Sequence, residues 1–209
     1  MKLIFITGTG TGVGKTLVAA IVTEALQADY WKPVQAGFET GTDSLWVQQL
    51  ISNRNSVIHP EVYKLTMPAS PHIAAKAERK EIALPHIVSC LPATKNQLII
   101  EGAGGLLVPL NKNEFVIDLV RKLKARVIIV SKNELGSINH SLLTAAVLKK
   151  EKIDVAGWIF NCEYLHYENE IASWSDYPVI ASVKHLPNIS KETILQEAKR
   201  MKRNLEKFI

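Results

Sequence analysis

One stretch near the start of the chain decides the fold: Gly8-Thr9-Gly10-Thr11-Gly12-Val13-Gly14-Lys15-Thr16. The apolar run before it, residues 2–7, has the length and composition of a buried strand. In residues 15–28, the apolar side chains recur at spacings of three and four, as in a helix with one buried face. A glycine-rich turn between a strand and a helix presents backbone N–H groups and the positive end of the helix to phosphate groups. The stretch therefore predicts a phosphate-binding loop.

Two side chains at the end of this loop support the interpretation. Lys15 can reach the β and γ phosphates of a nucleotide, and the Thr16 hydroxyl can bind Mg²⁺. The strict G-x-x-x-x-G-K-[ST] motif requires a glycine at the position of Thr9, so the loop is a variant P-loop. A dinucleotide-binding loop is disfavoured, because the glycine spacing differs and Lys32 and Pro33 stand where an acidic residue would bind the ribose.

The rest of the chain alternates strand-like and helix-like segments, which is typical of successive βα units. Further core strands are predicted at residues 30–34, 97–101, 127–131, 155–161 and 179–183, and short helices at residues 43–52, 71–79 and 84–91. No internal repeat or linker divides the sequence, so we expect one domain spanning residues 1–209. The expected architecture is a three-layer α-β-α P-loop NTPase fold with a mainly parallel central sheet.

The composition narrows the class of protein further. With 47% hydrophobic and 22% charged residues, the chain as a whole is not disordered. The two cysteines, Cys90 and Cys162, form no C-x-x-C pair, and the histidines show no zinc-binding spacing. We therefore expect a reducing, cytoplasmic compartment and neither a disulfide framework nor a zinc site. No run is long enough for a membrane helix, and the start of the chain does not resemble a signal peptide.

More than half of the net charge of +5 comes from the last twenty residues. From residue 190 onward, six basic residues face three acidic ones, so this segment alone carries +3. We therefore do not interpret the basic composition as a nucleic-acid surface. The same segment has the spacing of an amphipathic helix at Ile194, Ala198, Met201, Leu205 and Phe208. Such a helix either packs on the sheet, which we expect, or binds a surface such as a membrane.

Three charged side chains extend the candidate phosphate site. Glu101 ends the predicted strand 97–101 and is either a satisfied buried acid or a magnesium ligand. Asp43 starts a predicted helix and serves as a helix cap, as a magnesium ligand, or as both. Lys32 lies where the predicted strand 30–34 ends in Lys32 and Pro33, and it either brings a second cation to transferred phosphate or lies exposed. We interpret both acids as magnesium ligands.

Besides the loop, several segments resemble the dethiobiotin synthetase family, in the same order along the chain. They are residues 32–37 (KPVQAG), Thr42 and Asp43, residues 70–75 (SPHIAA), residues 101–109 (EGAGGLLVP), residues 135–140 (LGSINH) and Asn161. The resemblance extends to about residue 187. This combination is far more specific than a P-loop alone.

The resemblance implies an activity and a set of partners. Family members are ATP-dependent cyclo-ligases of biotin synthesis that carboxylate 7,8-diaminopelargonate with CO₂. They transfer the γ-phosphoryl group of ATP to the carbamate, giving a carbamic-phosphoric anhydride, and close the ureido ring of dethiobiotin as phosphate leaves. The implied cofactors are ATP and Mg²⁺, and the implied assembly is a homodimer. We expect neither a nucleic-acid nor a membrane partner.

The resemblance also implies residue roles. The implied catalytic residues are Lys15 and Lys32, which would stabilise charge on the carbamate and phosphoryl oxygens. The implied metal ligands are Thr16, Asp43 and Glu101, and the implied substrate contacts are Thr11, Lys32, Ala36 and, across the dimer interface, Asn139. The implied ATP-binding residues are Gly12, Val13, Gly14, Lys15, Thr16, Leu17, Asp43, Glu101, Gly102, Ala103, Gly104, Asn161, Cys162, Lys184, His185 and Leu186.

The chain departs from the family pattern at three positions. Gly10 stands where the family usually has Asp, Ala36 where a hydroxyl residue is often found, and Lys184 where Pro is common. These departures affect contacts to the metal, the substrate and adenine, and they leave Lys15 and Lys32 unchanged.

An alternative function is that of a chromosome-partitioning or division-site ATPase. These proteins share the P-loop architecture, and some bind membranes through a C-terminal amphipathic helix. They carry a second lysine near the start of the loop, where this chain has Gly10. The loop therefore favours the ligase.

Overall fold

The computed structural model describes residues 2–162 and 165–209. Its strands are β1 (Leu3–Gly8), β2 (Asp29–Trp31), β3 (Val34–Ala36), β4 (Ile58–His59), β5 (Tyr63–Leu65), β6 (Leu98–Gly105), β7 (Arg126–Lys132), β8 (Val155–Asn161) and β9 (Val179–Val183). Its helices are α1 (Lys15–Leu26), α2 (Asp43–Leu50), α3 (Pro71–Ala77), α4 (Leu84–Ser89), α5 (Val116–Leu123), α6 (Ser137–Lys150), α7 (Glu168–Ser175) and α8 (Lys191–Phe208).

Seven strands form one parallel sheet in the order β4-β2-β6-β1-β7-β8-β9. Strands β3 and β5 pair separately in a small two-stranded sheet. In this sheet β2, β4 and β6 lie on one side of β1, and β7, β8 and β9 lie on its other side. Open α/β sheets bind ligands where the strand order reverses in this way, beyond the carboxyl ends of the strands. The glycine loop lies at that point.

Alternate strand residues face two helical layers. In β1, Phe5 packs in one hydrophobic core, and Ile4 and Ile6 pack in the other. The core of Phe5 includes residues of α3 to α7, and the core of Ile4 and Ile6 includes residues of α1, α2 and α8. Because helices cover both faces of the sheet, the central strands carry buried apolar residues on both faces. The predicted three-layer fold with a parallel sheet is confirmed.

The predicted strand at residues 30–34 is wrong in one respect. Strand β2 ends before Lys32, and the chain resumes after Pro33 as β3 in the small sheet. Proline has no N–H with which to continue a ladder. The Pro33 carbonyl instead accepts hydrogen bonds from the amides of Val62 and Tyr63, both at 2.9 Å. This change of sheet leaves Lys32 at the carboxyl end of β2 with only 5% of its surface exposed.

Helix α8 packs inside the fold. Its cap residue Ser190 accepts a hydrogen bond from the amide of Thr193. The helix lies against α1 and β9 and buries Ile194, Ala198, Met201 and Leu205. The expected packing on the fold is confirmed, and this apolar face is covered rather than presented to another surface. Within the described ranges, no helix is long and apolar enough to cross a membrane.

Candidate active site

The glycine loop is held in shape by two side chains. Gly14 precedes α1 with a φ of 94°, in the left-handed region, and a Cβ there would lie 2.2 Å from Nδ2 of Asn161. Asn161, at the end of β8, donates from its side-chain amide to the Val13 carbonyl at 3.0 Å. The Lys15 ammonium donates to the Gly10 carbonyl at 2.7 Å. The Lys15 side chain therefore folds back over the loop and contacts its first half at Gly10.

Glu101 is the centre of a buried polar network within β6. The prediction that the strand ends at Glu101 is wrong, because β6 continues to Gly105. Its Oε1 accepts hydrogen bonds from the Thr16 hydroxyl and the Lys32 ammonium, both at 2.9 Å. Its Oε2 accepts from the Tyr30 hydroxyl at 2.8 Å. Glu101 is only 1% exposed, so these contacts replace water around the carboxylate. The register of β6 beside β1 and β2 brings these partners together from distant parts of the sequence.

Lys32 lies between the two predicted metal-ligand acids. Its ammonium forms ion pairs with Glu101 and with Oδ2 of Asp43. The hypothesis that Asp43 caps α2 is wrong, because Thr42 is the cap and accepts a hydrogen bond from the Leu45 amide at 3.3 Å. The Asp43 carboxylate, in the first turn of the helix, is thereby available to Lys32. The alternative of an exposed Lys32 is likewise wrong.

The two lysines have different electrostatic environments. Burial lowers the pKa of Lys15 to about 8, with Glu101 opposing and the neighbouring Lys32 adding to the effect. Burial also acts to lower the pKa of Lys32, but the charges of Glu101 and Asp43, and the hydrogen bonds to them, outweigh it and raise that pKa. Lys32 therefore stays charged at neutral pH, whereas Lys15, with a pKa of about 8, loses its proton just above neutral pH.

A cavity of about 630 Å³ opens between the glycine loop, the end of β6 and the small sheet. Eleven of the predicted site residues line it: Thr11, Gly12, Gly14, Lys15, Thr16, Lys32, Ala36, Asp43, Glu101, Ala103 and Gly104. The other lining residues were not predicted to have a role in the site; they are Val34, Gln35, Pro68, Ala69, Ser70, Pro71 and Val108. Most of these lie in the family-like segments, whereas Pro68 and Ala69 carry no sequence signal.

Gln35 lines the cavity but was not predicted as a site residue. Its side-chain Oε1 accepts from the Asp43 amide at 3.1 Å, and its Nε2 donates to the Gly37 carbonyl at 2.7 Å. Gln35 thus fixes the start of α2 against the loop that precedes it. The contact depends on the small sheet, which the sequence pattern did not reveal.

Three predicted ATP contacts lie outside the cavity for reasons of packing. Val13 is buried in the core of α1, and Leu17 packs against that same core. A Cβ on Gly102 would lie 2.7 Å from Cε1 of Phe5, so the glycine is required by the packing of β6. Val13, Leu17 and Gly102 therefore pack inside the fold, whereas adjacent residues such as Gly12, Thr16 and Ala103 line the cavity.

The predicted adenine contacts form a second group beside the loop. Asn161 and Cys162 end β8, and the Cys162 amide donates to the Val183 carbonyl of β9 at 3.0 Å. Residues 184–186 directly follow β9. The two segments are therefore adjacent at the carboxyl edge of the sheet, next to Gly14, although neither lines the 630 Å³ cavity.

Asn139 lies elsewhere, exposed in the first turn of α6. A hollow of about 300 Å³ separates this helix from the glycine loop, and His140 and Leu143 line its α6 side. Within the described chain, the structure does not bring Asn139 to the cavity of Lys15 and Lys32.

The donor set of the cavity fits Mg²⁺. Thr16, Asp43 and Glu101 offer a hydroxyl and two carboxylates, which are the hard oxygen ligands that this ion prefers. Mg²⁺ in nucleotide sites is bound through one or two carboxylates, with phosphates and water completing its shell. Groups of three or more His, Cys, Asp or Glu side chains suited to a metal are absent from the described residues, and a phosphate-completed site does not require one.

Comparisons with known proteins identify the family. A family model described as an AAA domain matches residues 2–193. An ATP-dependent dethiobiotin synthetase BioD from Cytophaga hutchinsonii is 50% identical over 93% of this chain and 94% of its own length. The enzyme of the same name from Christiangramia forsetii is 42% identical over 98% of each chain.

Solved structures with the same fold are more distant in sequence. The cell division ATPase MinD of Pyrococcus furiosus aligns with a TM-score of 0.61 and 14% identity, covering 100% of this chain and 99% of its own. A ParA-family ATPase from Chlorobium tepidum aligns with a TM-score of 0.59 and 12% identity, covering 99% and 97%. At such identities the likeness concerns the fold alone. The near-full-length sequence matches are decisive, and this chain belongs to the ATP-dependent dethiobiotin synthetase family.

Proposed function

We propose that this chain is an ATP- and Mg²⁺-dependent ligase of biotin synthesis that converts 7,8-diaminopelargonate and CO₂ to dethiobiotin. The observation that carries the proposal is the buried Lys32, which two carboxylates hold at the wall of the cavity that Lys15 also lines. The second lysine of the partitioning-type ATPases lies near the start of the loop, whereas the second cation here comes from the end of β2. The unpaired state of Cys90 and Cys162 supports a cytoplasmic location.

The reaction generates negative charge at two successive stages. One amine of the substrate attacks CO₂ and loses a proton, which gives a carbamate. A carbamate oxygen then attacks the γ-phosphorus and ADP leaves, after which the second amine attacks the carbonyl carbon and phosphate leaves. In this proposal Lys32 neutralises the carbamate, and Lys15 neutralises the γ-phosphoryl oxygens. Thr11 and Ala36 line the cavity, and in this proposal their side chains would face the diamine.

Thr16, Asp43 and Glu101 would hold Mg²⁺ in the same cavity. When bound, this ion neutralises phosphate charge and polarises the γ-phosphoryl group. The fixed ion pairs of Lys32 with Asp43 and Glu101 keep both carboxylates close to the loop that binds the phosphates. The adjacent segments at residues 161–162 and 184–186 would contact adenine.

We extend the proposal to a homodimer. Leu107 and Leu143 line the hollow between the loop and α6 and are 59% and 58% exposed, and Leu135 before α6 is 90% exposed. A second copy seated here would bury these apolar side chains. It would also bring the turn at Asn139, at a helix N-terminus, to the substrate carboxylate. Light scattering should give twice the 23.2 kDa of one chain, and a monomer mass would contradict the dimer.

The pKa of Lys15 predicts how nucleotide affinity depends on pH. Below about pH 8 the ammonium is charged in the free enzyme and attracts phosphate; above this pH it is neutral, so binding must recharge it. Affinity for ATP should therefore be constant below about pH 8 and fall up to about tenfold per pH unit above it. Calorimetry at fixed Mg²⁺ measures this slope. Lys15→Arg, which stays charged, should abolish the slope even if its affinity is lower.

The dependence of ATP cleavage on the diamine tests the proposed reaction. With bicarbonate and Mg²⁺ present, a coupled assay should show rapid ADP release only after 7,8-diaminopelargonate is added. The same assay separates the ligase from the partitioning-type ATPase, which would release ADP at the same rate with or without the diamine. That second outcome would reject the ligase.

A further inference from the structure

Tyr30 is a buried polar residue beside the proposed metal site. Its side chain is 0% exposed and packs in the same core as Ile4 and Ile6. A tyrosine buried this deeply needs a partner for its hydroxyl, and the partner is Oε2 of Glu101 at 2.8 Å. The sheet register sets this contact, because Tyr30 pairs with Ile99 and Glu101 lies two residues further along β6, on the same face.

The two oxygens of Glu101 have different partners. Oε2 accepts only the bond from Tyr30 within the described residues, whereas Oε1 accepts from Thr16 and Lys32. Loss of the tyrosine hydroxyl would leave Oε2 buried without a donor. The carboxylate would then regain a donor only by turning about its Cγ–Cδ bond, at the expense of Thr16 or Lys32.

We infer that Tyr30 is a positioning residue for the metal site: its hydroxyl fixes the Glu101 carboxylate so that Oε1 faces Thr16 and Lys32. The inference rests on the proposed function of Glu101 as a magnesium ligand. Tyr30 acts through Glu101 and is not among the residues that line the cavity. Tyr30 lies in β2 and packs in an apolar core, so its hydroxyl is the part of the residue that apolar packing does not explain.

Tyr30→Phe removes the hydroxyl and keeps the ring. The readout is the affinity for a non-hydrolysable ATP analogue, measured by calorimetry with and without Mg²⁺. We expect the metal-free affinity to stay within about twofold of the wild type and the increase caused by Mg²⁺ to fall about tenfold. A general loss of structure would instead lower both affinities. Tyr63→Phe is the matched control, because the Tyr63 hydroxyl accepts a hydrogen bond from the Ala83 amide on an exposed part of the fold.

Glu101→Gln and the double variant Tyr30→Phe/Glu101→Gln separate the inference from the proposed function. If Tyr30 acts through Glu101, the double variant should lose no more Mg²⁺ dependence than Glu101→Gln alone. Additive losses, or a Tyr30→Phe variant that behaves as the wild type while Glu101→Gln is impaired, would overturn the role of Tyr30 and leave the ligase proposal intact. Full Mg²⁺ dependence in Glu101→Gln would overturn the metal assignment itself, and the inference with it.

A rescue variant covers the case in which Tyr30→Phe does not fold. Incorporation of p-aminophenylalanine at position 30 restores a hydrogen-bond donor at the position of the hydroxyl. This variant should recover the Mg²⁺ dependence of the wild type. A folded rescue protein, judged by its thermal unfolding, that still lacks the dependence would contradict the inference.

Discussion

Lys32→Ala is expected to lower kcat by about 100-fold or more while changing the affinity for ATP by no more than about threefold. The reason is that the Lys32 ammonium is held at the cavity wall by Glu101 and Asp43, whereas Lys15 is the cation of the loop that binds the phosphates in the ground state. Its charge is needed mainly when the carbamate forms and accepts the phosphoryl group. Single-turnover kinetics and calorimetry measure the two effects separately.

A surface lysine provides the control for this variant. Lys64 is exposed on β5, where its ammonium lies 4.6 Å from the centre of the Phe38 ring, and Lys64→Ala should preserve turnover. Removing Lys32 leaves Glu101 and Asp43 without their shared cation, so the free energy of unfolding should also fall by about 3 kcal/mol. Both assays must therefore be run below the melting temperature of the variant, where it is folded. Equal losses of ATP affinity and turnover would show that Lys32 has been misassigned.

Gly14→Ala is expected to reduce ATP affinity by about 100-fold. A left-handed conformation costs a residue with a Cβ about 1–2 kcal/mol, and the methyl group would lie 2.2 Å from Nδ2 of Asn161. The side chain of Asn161 or the loop must move, and each of them positions the other through the bond to the Val13 carbonyl. Calorimetric titration with ATP and Mg²⁺ measures the loss.

Gly10→Ala is the matched control in the same loop. A Cβ at position 10 meets no atom of the described residues within 4 Å, and Gly10 does not have a positive φ. The control should keep ATP affinity within about threefold of the wild type. If both alanine variants lost affinity equally, the effect would reflect loop flexibility in general and not the conformation of Gly14.

Most of the fold was predictable because its determinants are local. The apolar runs of β1, β7, β8 and β9 and the periodicity of α1 are visible within single windows of sequence, and helices on both faces explain why those runs do not alternate. The small sheet was not predictable in this way. Strands β3 and β5 have three residues each, and only their pairing with one another distinguishes them from loop.

The site was predictable at the level of chemistry, and less so at the level of contacts. Lys15 and Thr16 follow from the motif, and Glu101 follows from its place as a carboxylate in an apolar core strand, although that strand continues to Gly105. By contrast, the bond between Tyr30 and Glu101 joins residues 71 positions apart and depends on the register of β2 against β6. Thr42, and not Asp43, caps α2, and both residue types are common caps, so the sequence does not distinguish them.

Mass spectrometry of the reaction product distinguishes ring closure from simple hydrolysis of ATP. Purified protein is incubated with 7,8-diaminopelargonate, ¹³C-bicarbonate, ATP and Mg²⁺, and the small molecules are then analysed. We expect a ligase to form dethiobiotin carrying one ¹³C atom, in equal amount to ADP. Release of ADP without any labelled, ring-closed product would contradict the ligase proposal.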